Sequence, residues 1–273
     1  METASKPDNE TILDFKICWK LYKANFKTYL KYSLFIFFIQ LIVSLIVNIG
    51  VVSLLIGVFK VNPFEIVEIL IWVIIPTTVL LYALQGAFYG LAYDIMSTGD
   101  EFAEFRGAFR YFRKYYWQYT IITLLTSSPA FIIIINLSSL LDISPYNVET
   151  ILLNSLGGIF IFILLFLWSL VFMMTFPSIT AQGSISRSFK ENFKILRRNF
   201  KRIFLSFGLN FLLFLMPFYI ATLLQFIVFP IADSPLRITL MGIALVFGII
   251  SYVIAAPLNT LIATRIYNTQ NES

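Results

Sequence analysis

The sequence predicts an all-α polytopic membrane bundle: six transmembrane helices in three repeats, each an interfacial amphipathic helix followed by a transmembrane hairpin. Three observations lead to it. Of 273 residues, 59% are hydrophobic and only 13% charged, whereas soluble domains are roughly 45–50% apolar and about 25% charged. Near-continuous apolar runs recur at about 20 residues or more, the length that crosses roughly 30 Å of hydrocarbon. One register of cations and aromatics also returns three times along the chain, the signature of internal repetition.

The chain opens on the polar stretch METASKPDNE. It has no positive n-region and no small-residue cleavage site, so no cleaved signal peptide is expected. The first amphipathic helix follows. Its residues Phe15, Trp19, Tyr22, Phe26 and Tyr29 are spaced by 4, 3, 4 and 3, which places all five on one helical stripe. Spans at about Ser33–Phe59 and Val67–Ile95 complete a unit covering residues 11–97. The same steps return at Phe105, Phe109, Phe112, Tyr116 and Tyr119, followed by spans Trp117–Leu141 and Ile151–Pro177, in a unit covering 100–182. They return again at Phe189, Phe193, Leu196, Phe200 and Ile203, with spans Leu205–Ile231 and Ile238–Ile262, in a unit covering 184–267. The whole chain, 1–273, reads as a single integral membrane domain.

The register extends beyond the stripe. Lys16, Lys20 and Lys23 correspond to Arg106, Arg110 and Arg113, and then to Lys190, Lys194 and Arg197. Asn25-Phe26 corresponds to Asn199-Phe200, where the middle copy has Tyr115-Tyr116. At the hairpin ends, GAFYGLAYDIM from Gly86 can be laid on PLNTLIATRIY from Pro257, and PSITAQG from Pro177 starts similarly. Within the spans, Pro76, Pro129 and Pro217 are expected to mark kinks.

Charge sets the orientation. Residues 1–32, 94–117, 178–203 and the tail from Ala263 hold 18 of the 20 lysines and arginines. The other loops hold only Lys60 and Arg237, beside Glu65, Glu68, Asp142, Glu149 and Asp233. Because cytoplasmic loops collect Lys and Arg, the chain is expected in the cell membrane with both termini cytoplasmic and three short acidic loops outside.

A basic amphipathic helix beside a span has a natural place in the cytoplasmic interface, with rings in the acyl boundary and cations among anionic headgroups. The nine cations Lys16, Lys20, Lys23, Arg106, Arg110, Arg113, Lys190, Lys194 and Arg197 are therefore the candidate headgroup residues. The plainest role for such helices is to anchor the bundle; specific lipid binding, or docking of a cytosolic or membrane protein, is the functional reading. Nucleic acid is not an expected partner, because a helix whose apolar face is buried has no rings left for stacking.

No Asp, Glu, Lys or Arg falls within an expected hydrocarbon core, which argues against a proton-driven pump. Asp94 and Arg265 come nearest, at equivalent hairpin ends, where they could pair with each other or stand solvated. The amides Gln40, Asn48, Gln85, Asn136, Asn154, Asn210, Gln225 and Asn259 are suited to bridging helices. Of these, Gln85, Asn154 and Asn259 are the candidates for an intramembrane polar site. SLGG at Ser155 to Gly158 permits close helix approach, and Glu65 and Glu68 suit a helix N-terminus. Histidine is absent and Cys18 is the only cysteine, which removes disulfides, Cys/His zinc sites and Ser-His or Cys-His nucleophiles. There is no P-loop, so no catalysis, metal or cofactor is expected.

Two stretches, SISRSFKENFKILRRNFKRIF after a span ending FPSITAQG, and the closing APLNTLIATRIYN, resemble the membrane-domain family found fused to some glycerophosphodiester phosphodiesterases. That resemblance implies a helical membrane domain without catalysis of its own; the phosphodiesterase barrel is missing here. Mitochondrial-type carriers also have three repeats, but their interfacial helix lies inside the hairpin and a Pro-x-Asp/Glu-x-x-Lys/Arg motif follows the first span. Six-span permease subunits of ABC exporters offer a second comparison, with FAEFRGAFRYF as a coupling helix; a third equally strong helix is outside their pattern. The sequence thus points to a non-enzymatic membrane protein engaging anionic lipid or a partner, with a transport component, an ABC-type permease subunit or small-solute carrier, as the alternative.

Overall fold

The computed structural model describes residues 7–46, 83–98, 104–140, 167–217 and 234–271, with single positions at 50, 53, 57, 163, 164 and 220. Among these residues every regular element is helical and none is a strand. The α-helices are α1 (Pro7–Ala24), α2 (Phe26–Leu45), α3 (Gly86–Thr98), α4 (Phe105–Leu140), α5 (Thr175–Gln182), α6 (Ile185–Asn210), α7 (Ser234–Ile250) and α8 (Ala256–Asn271). Two π-helical turns, Phe211–Leu215 and Ser251–Ala255, continue α6 and join α7 to α8. One helical stretch, Ile238–Gln270, is long and apolar enough to cross a membrane, with a mean hydropathy of 2.4 over its best window. The other five expected spans, with Pro76, Glu65, Glu68 and Ser155 to Gly158, fall wholly or partly outside the described residues.

Three helical kinks occur at corresponding places. Asn25, between α1 and α2, has φ −102° and ψ 13°; Tyr115 inside α4 has φ −118° and ψ 22°; Asn199 inside α6 has φ −123° and ψ 22°. All three lie in the sparsely populated bridge region. At two of them an asparagine side chain adds a bond to the carbonyl four residues back. Asn25 Nδ2 donates to the Leu21 carbonyl at 3.1 Å and Asn199 Nδ2 to the Ile195 carbonyl at 3.3 Å. An asparagine that competes for the carbonyl four residues back is a known cause of bending.

The core is built on α3, α5 and α8, which pack against one another. Around them α4 lies on α3 and α5, α6 on α5 and α8, and α1 on α8 and α6. The first helix thus closes the ring by packing against the last. Phe88, Leu91, Ala92, Leu258, Leu261, Ile262 and Ile266 are fully buried at the centre, with Tyr22, Tyr29 and Tyr32 brought in from α1 and α2. The Tyr32 and Phe88 rings meet edge to face at 4.8 Å, a favourable aromatic geometry.

Each core helix starts at an irregularity, and each irregularity has a side-chain donor. Before α3, the Phe88 amide bonds the Gln85 carbonyl, and the Leu84 carbonyl accepts the Tyr32 hydroxyl at 2.8 Å. Before α5, the Val171 carbonyl accepts Asn192 Nδ2 at 2.6 Å. In α8, Pro257 has no N–H for the carbonyl four residues back; that carbonyl, of Val253, accepts the Tyr22 hydroxyl at 3.0 Å. Asn210 Nδ2 further donates to the Ala255 carbonyl at 3.0 Å.

Glycine sets how closely α4 approaches α3. A Cβ on Gly86 would lie 2.5 Å from Tyr119 Cγ, and one on Gly90 2.6 Å from Tyr111 Cβ. At the end of α5, Gly183 adopts the left-handed conformation (φ 69°) and its amide bonds the Ile179 carbonyl at 2.7 Å, as helix C-terminal glycines do. Gly86→Ala is therefore expected to destabilise the protein by ~1–3 kcal/mol through overpacking. Gly208→Ala, whose Cβ meets nothing within 4 Å, should be neutral or mildly stabilising. Thermal melts of the two variants in one detergent give the comparison; equal melting temperatures would remove the close approach from the account.

Candidate functional site

The exposed cations of the three amphipathic stretches make up what is called the basic collar. Each follows a stripe residue by one position, so it sits about 100° around the helix from that residue. All nine candidate headgroup residues, Lys16, Lys20, Lys23, Arg106, Arg110, Arg113, Lys190, Lys194 and Arg197, are exposed. The stripe itself corrects the expectation of rings lying in the acyl boundary, because most of it turns inward. Tyr22, Tyr29, Tyr119 and Ile203 are buried, and Phe15, Trp19, Phe109, Phe112 and Leu196 pack against the core. Phe26, Phe193 and Phe200 remain exposed, and so does Trp117 beside the stripe at 69%.

One stretch of collar on α4 is organised by a carboxylate. Asp94 of α3 accepts Arg110 Nη2 at 3.1 Å and the Tyr111 hydroxyl at 2.6 Å, while the Arg110 guanidinium lies 5.0 Å from the Tyr111 ring centre. Burial first, then the hydrogen bond and charge of Asp94, push the Tyr111 hydroxyl up to about 12. The Asp94 charge raises Arg110 in turn. Arg106, Phe109, Arg110, Arg113 and Lys114 line a shallow depression of about 600 Å³. On the next face, Glu191 of α6 accepts from Ser178 at 2.8 Å, from Tyr267 at 2.9 Å, and from Gln182. It thereby joins α5, α6 and α8.

A charged cluster that spacing alone does not reveal joins α1, α6 and α8. Asp14 of α1, 1% exposed, accepts Arg202 Nε at 2.6 Å and Nη2 at 2.9 Å, and Arg265 Nε at 2.8 Å. Glu10 adds a longer contact to Arg202 Nη1 at 3.6 Å. The cluster ties α1 to α6 and α8. One helical turn along α1, Cys18 is fully buried; burial, opposed by Arg265 and Arg202, holds its thiol far above the usual range. That makes it an inert core cysteine.

Asp94 and Arg265, which the sequence places at equivalent hairpin ends, do not pair. Asp94 turns to Arg110 and Arg265 to Asp14, because α4 lies beside α3 and α1 beside α8. Of the three candidates for an intramembrane polar site, Gln85 is half-buried in the turn before α3. Asn259 accepts from Asn210 Nδ2, a helix-bridging amide, and Asn154 lies outside the described residues. Among the described residues no group of His, Cys, Asp and Glu could hold a metal ion.

One signal could have found Asp14 and Asn192. Asp14, Cys18 and Asn25 repeat as Ser188, Asn192 and Asn199, a second stripe of small and polar residues beside the aromatic one. Members of both copies are buried. No protein family, curated protein or solved structure matches the chain.

Asp14→Asn leaves two arginines sharing a neutral partner, and removing one member of a buried ion pair costs ~3–5 kcal/mol. With Arg202 11% and Arg265 21% exposed, the low end, ~3 kcal/mol, is expected. The triple change Asp14→Leu, Arg202→Met, Arg265→Met should recover most of that loss. Denaturant unfolding of both variants measures it, and an Asp14→Asn protein as stable as the parent would contradict the cluster's role.

Proposed function

We propose that this chain is a non-enzymatic, multi-pass protein of the cytoplasmic membrane that engages anionic lipid through its basic collar. It is built as three units of amphipathic helix plus hairpin, six spans in all, with both termini on the cytoplasmic side. The carrying observation is the separation of charge from packing. The collar cations are exposed, while the same helices turn Cys18, Tyr22, Ile195, Ile203 and Phe207 into the core.

Further features support the reading. Ile46, Leu212, Ile238, Leu245 and Val246 stand exposed along α2, α7 and the turn after α6, an amount of exposed apolar surface that water does not favour. The kinks at Asn25, Tyr115 and Asn199 are offset by the same 90 and 84 residues as the sequence register, which favours three equivalent units. Trp117 and the exposed Phe26 and Phe200 sit next to the kinks, where the collar meets the apolar segments. Aromatic residues gather at that depth of a bilayer.

Near an anionic leaflet each cation contributes on the order of 1 kcal/mol. Replacing Lys190, Lys194 and Arg197 by Gln should lower the preference for phosphatidylglycerol over phosphatidylcholine by roughly tenfold or more. Quenching of tryptophan fluorescence by brominated forms of the two lipids in nanodiscs reads that preference. A variant with the parent's preference would sink the lipid assignment.

A further inference from the structure

The collar is not uniform, and the difference lies on α4. At the three shared cation positions the first helix has Lys16, Lys20 and Lys23 and the third has Lys190, Lys194 and Arg197, whereas α4 has Arg106, Arg110 and Arg113. With Lys114 they fall at i, i+4, i+7 and i+8, one face of the helix. They also border a common depression of about 600 Å³ with Phe109 in its lining. Arg110 is fixed there by Asp94 and by the Tyr111 ring. Those contacts use its Nη2 group, which leaves the Nε and Nη1 donors for a ligand. Among the described residues no carboxylate is paired with Arg106, Arg113 or Lys114. Four cations thus border the depression, one of them held by Asp94.

We propose that this depression is a discrete site for a phosphate-bearing group. Guanidinium forks match phosphate oxygens two at a time, which a lysine ammonium cannot do. An arginine already held by a carboxylate loses less side-chain freedom on binding. The phosphate can come from a lipid headgroup or from a free phosphate in the cytosol, and both present the same oxygens. The site deepens the lipid-binding reading above and rests on it, but it makes a separate claim: geometry, not only charge, selects the ligand.

The test uses the full-length protein and four forms: parent, Arg106→Lys/Arg113→Lys, Arg106→Gln/Arg113→Gln, and the charge-matched control Lys16→Gln/Lys20→Gln. One arm titrates inorganic phosphate against protein in neutral detergent by calorimetry. The other titrates phosphatidic acid into phosphatidylcholine nanodiscs. Expected is saturable binding by the parent in at least one arm, weakened roughly tenfold or more in the Arg→Lys form, since a hydrogen bond to a charged group is worth ~1.5–3 kcal/mol. The Gln form should lose more; the control should keep parental affinity for inorganic phosphate and, in nanodiscs, lose less than the Gln form. Saturation in the phosphate arm identifies a soluble ligand; saturation only in the nanodisc arm identifies a headgroup.

An Arg→Lys form that binds like the parent overturns the site while leaving the diffuse lipid preference intact. Absence of saturable parent binding in both arms overturns it too. Helicity and melting temperature of each form are measured alongside. Arg106 and Arg113 are exposed, so the fold should survive. Were the Arg→Lys form unfolded instead, Lys114→Gln would take its place, with the same tenfold loss expected and parental binding overturning the site.

Discussion

A backbone carbonyl released by a break in a helix and buried in a core has to find a donor, and there the protein's own side chains can supply one. The three core helices all begin at such breaks, and hydroxyls or amides of Tyr22, Tyr32, Asn192 and Asn210 supply the donors. These residues belong to the amphipathic stretches or to their continuation past the kink. The amphipathic helices are therefore part of the core. Their stripe packs largely inward, with Tyr22 supplying one of those donors, and the cations one position along are turned outward by the same geometry. A single packing requirement arranges both the inside of the ring and its charged rim.

The Asp14 cluster serves the same ring differently. Desolvating three ionic groups offsets much of what their attraction returns, so such a cluster adds little net stability over a well-packed apolar substitute. Its effect is on register. The first helix must dock on α6 and on the last helix, α8, across 188 and 251 residues of sequence. Any slip would strand a buried carboxylate. Glu191 holds α5, α6 and α8 in register by hydrogen bonds alone.

Much of this was legible in the sequence, and the remainder was not for definite reasons. The helical class and the face carrying each cation follow from spacing alone. Two of the three kink sites coincide with the Asn-Phe pairs, where asparagine carries its own donor to the carbonyl four residues back; the third, at Tyr115, does not. What spacing leaves open is which apolar surface a stripe meets, since core and hydrocarbon accept the same rings; hence the inward turn of Tyr22 and Tyr119. Partners across long separations were equally hidden. The sequence register gives Asp94 and Arg265 matching places, yet each is paired by the helix packed beside it.

The proposed topology places the collar in the cytoplasm and the apolar segments in lipid, and the site on α4 depends on that placement. Single cysteines introduced in a Cys18→Ser background, labelled in intact cells with a membrane-impermeant maleimide, test it most directly. Cysteines replacing Lys60, Asp142 and Asp233 should label in intact cells, whereas those replacing Lys20 and Arg187 should label only after the membrane is opened. Labelling of the Lys20 and Arg187 positions from outside, with the other three protected, would contradict the account.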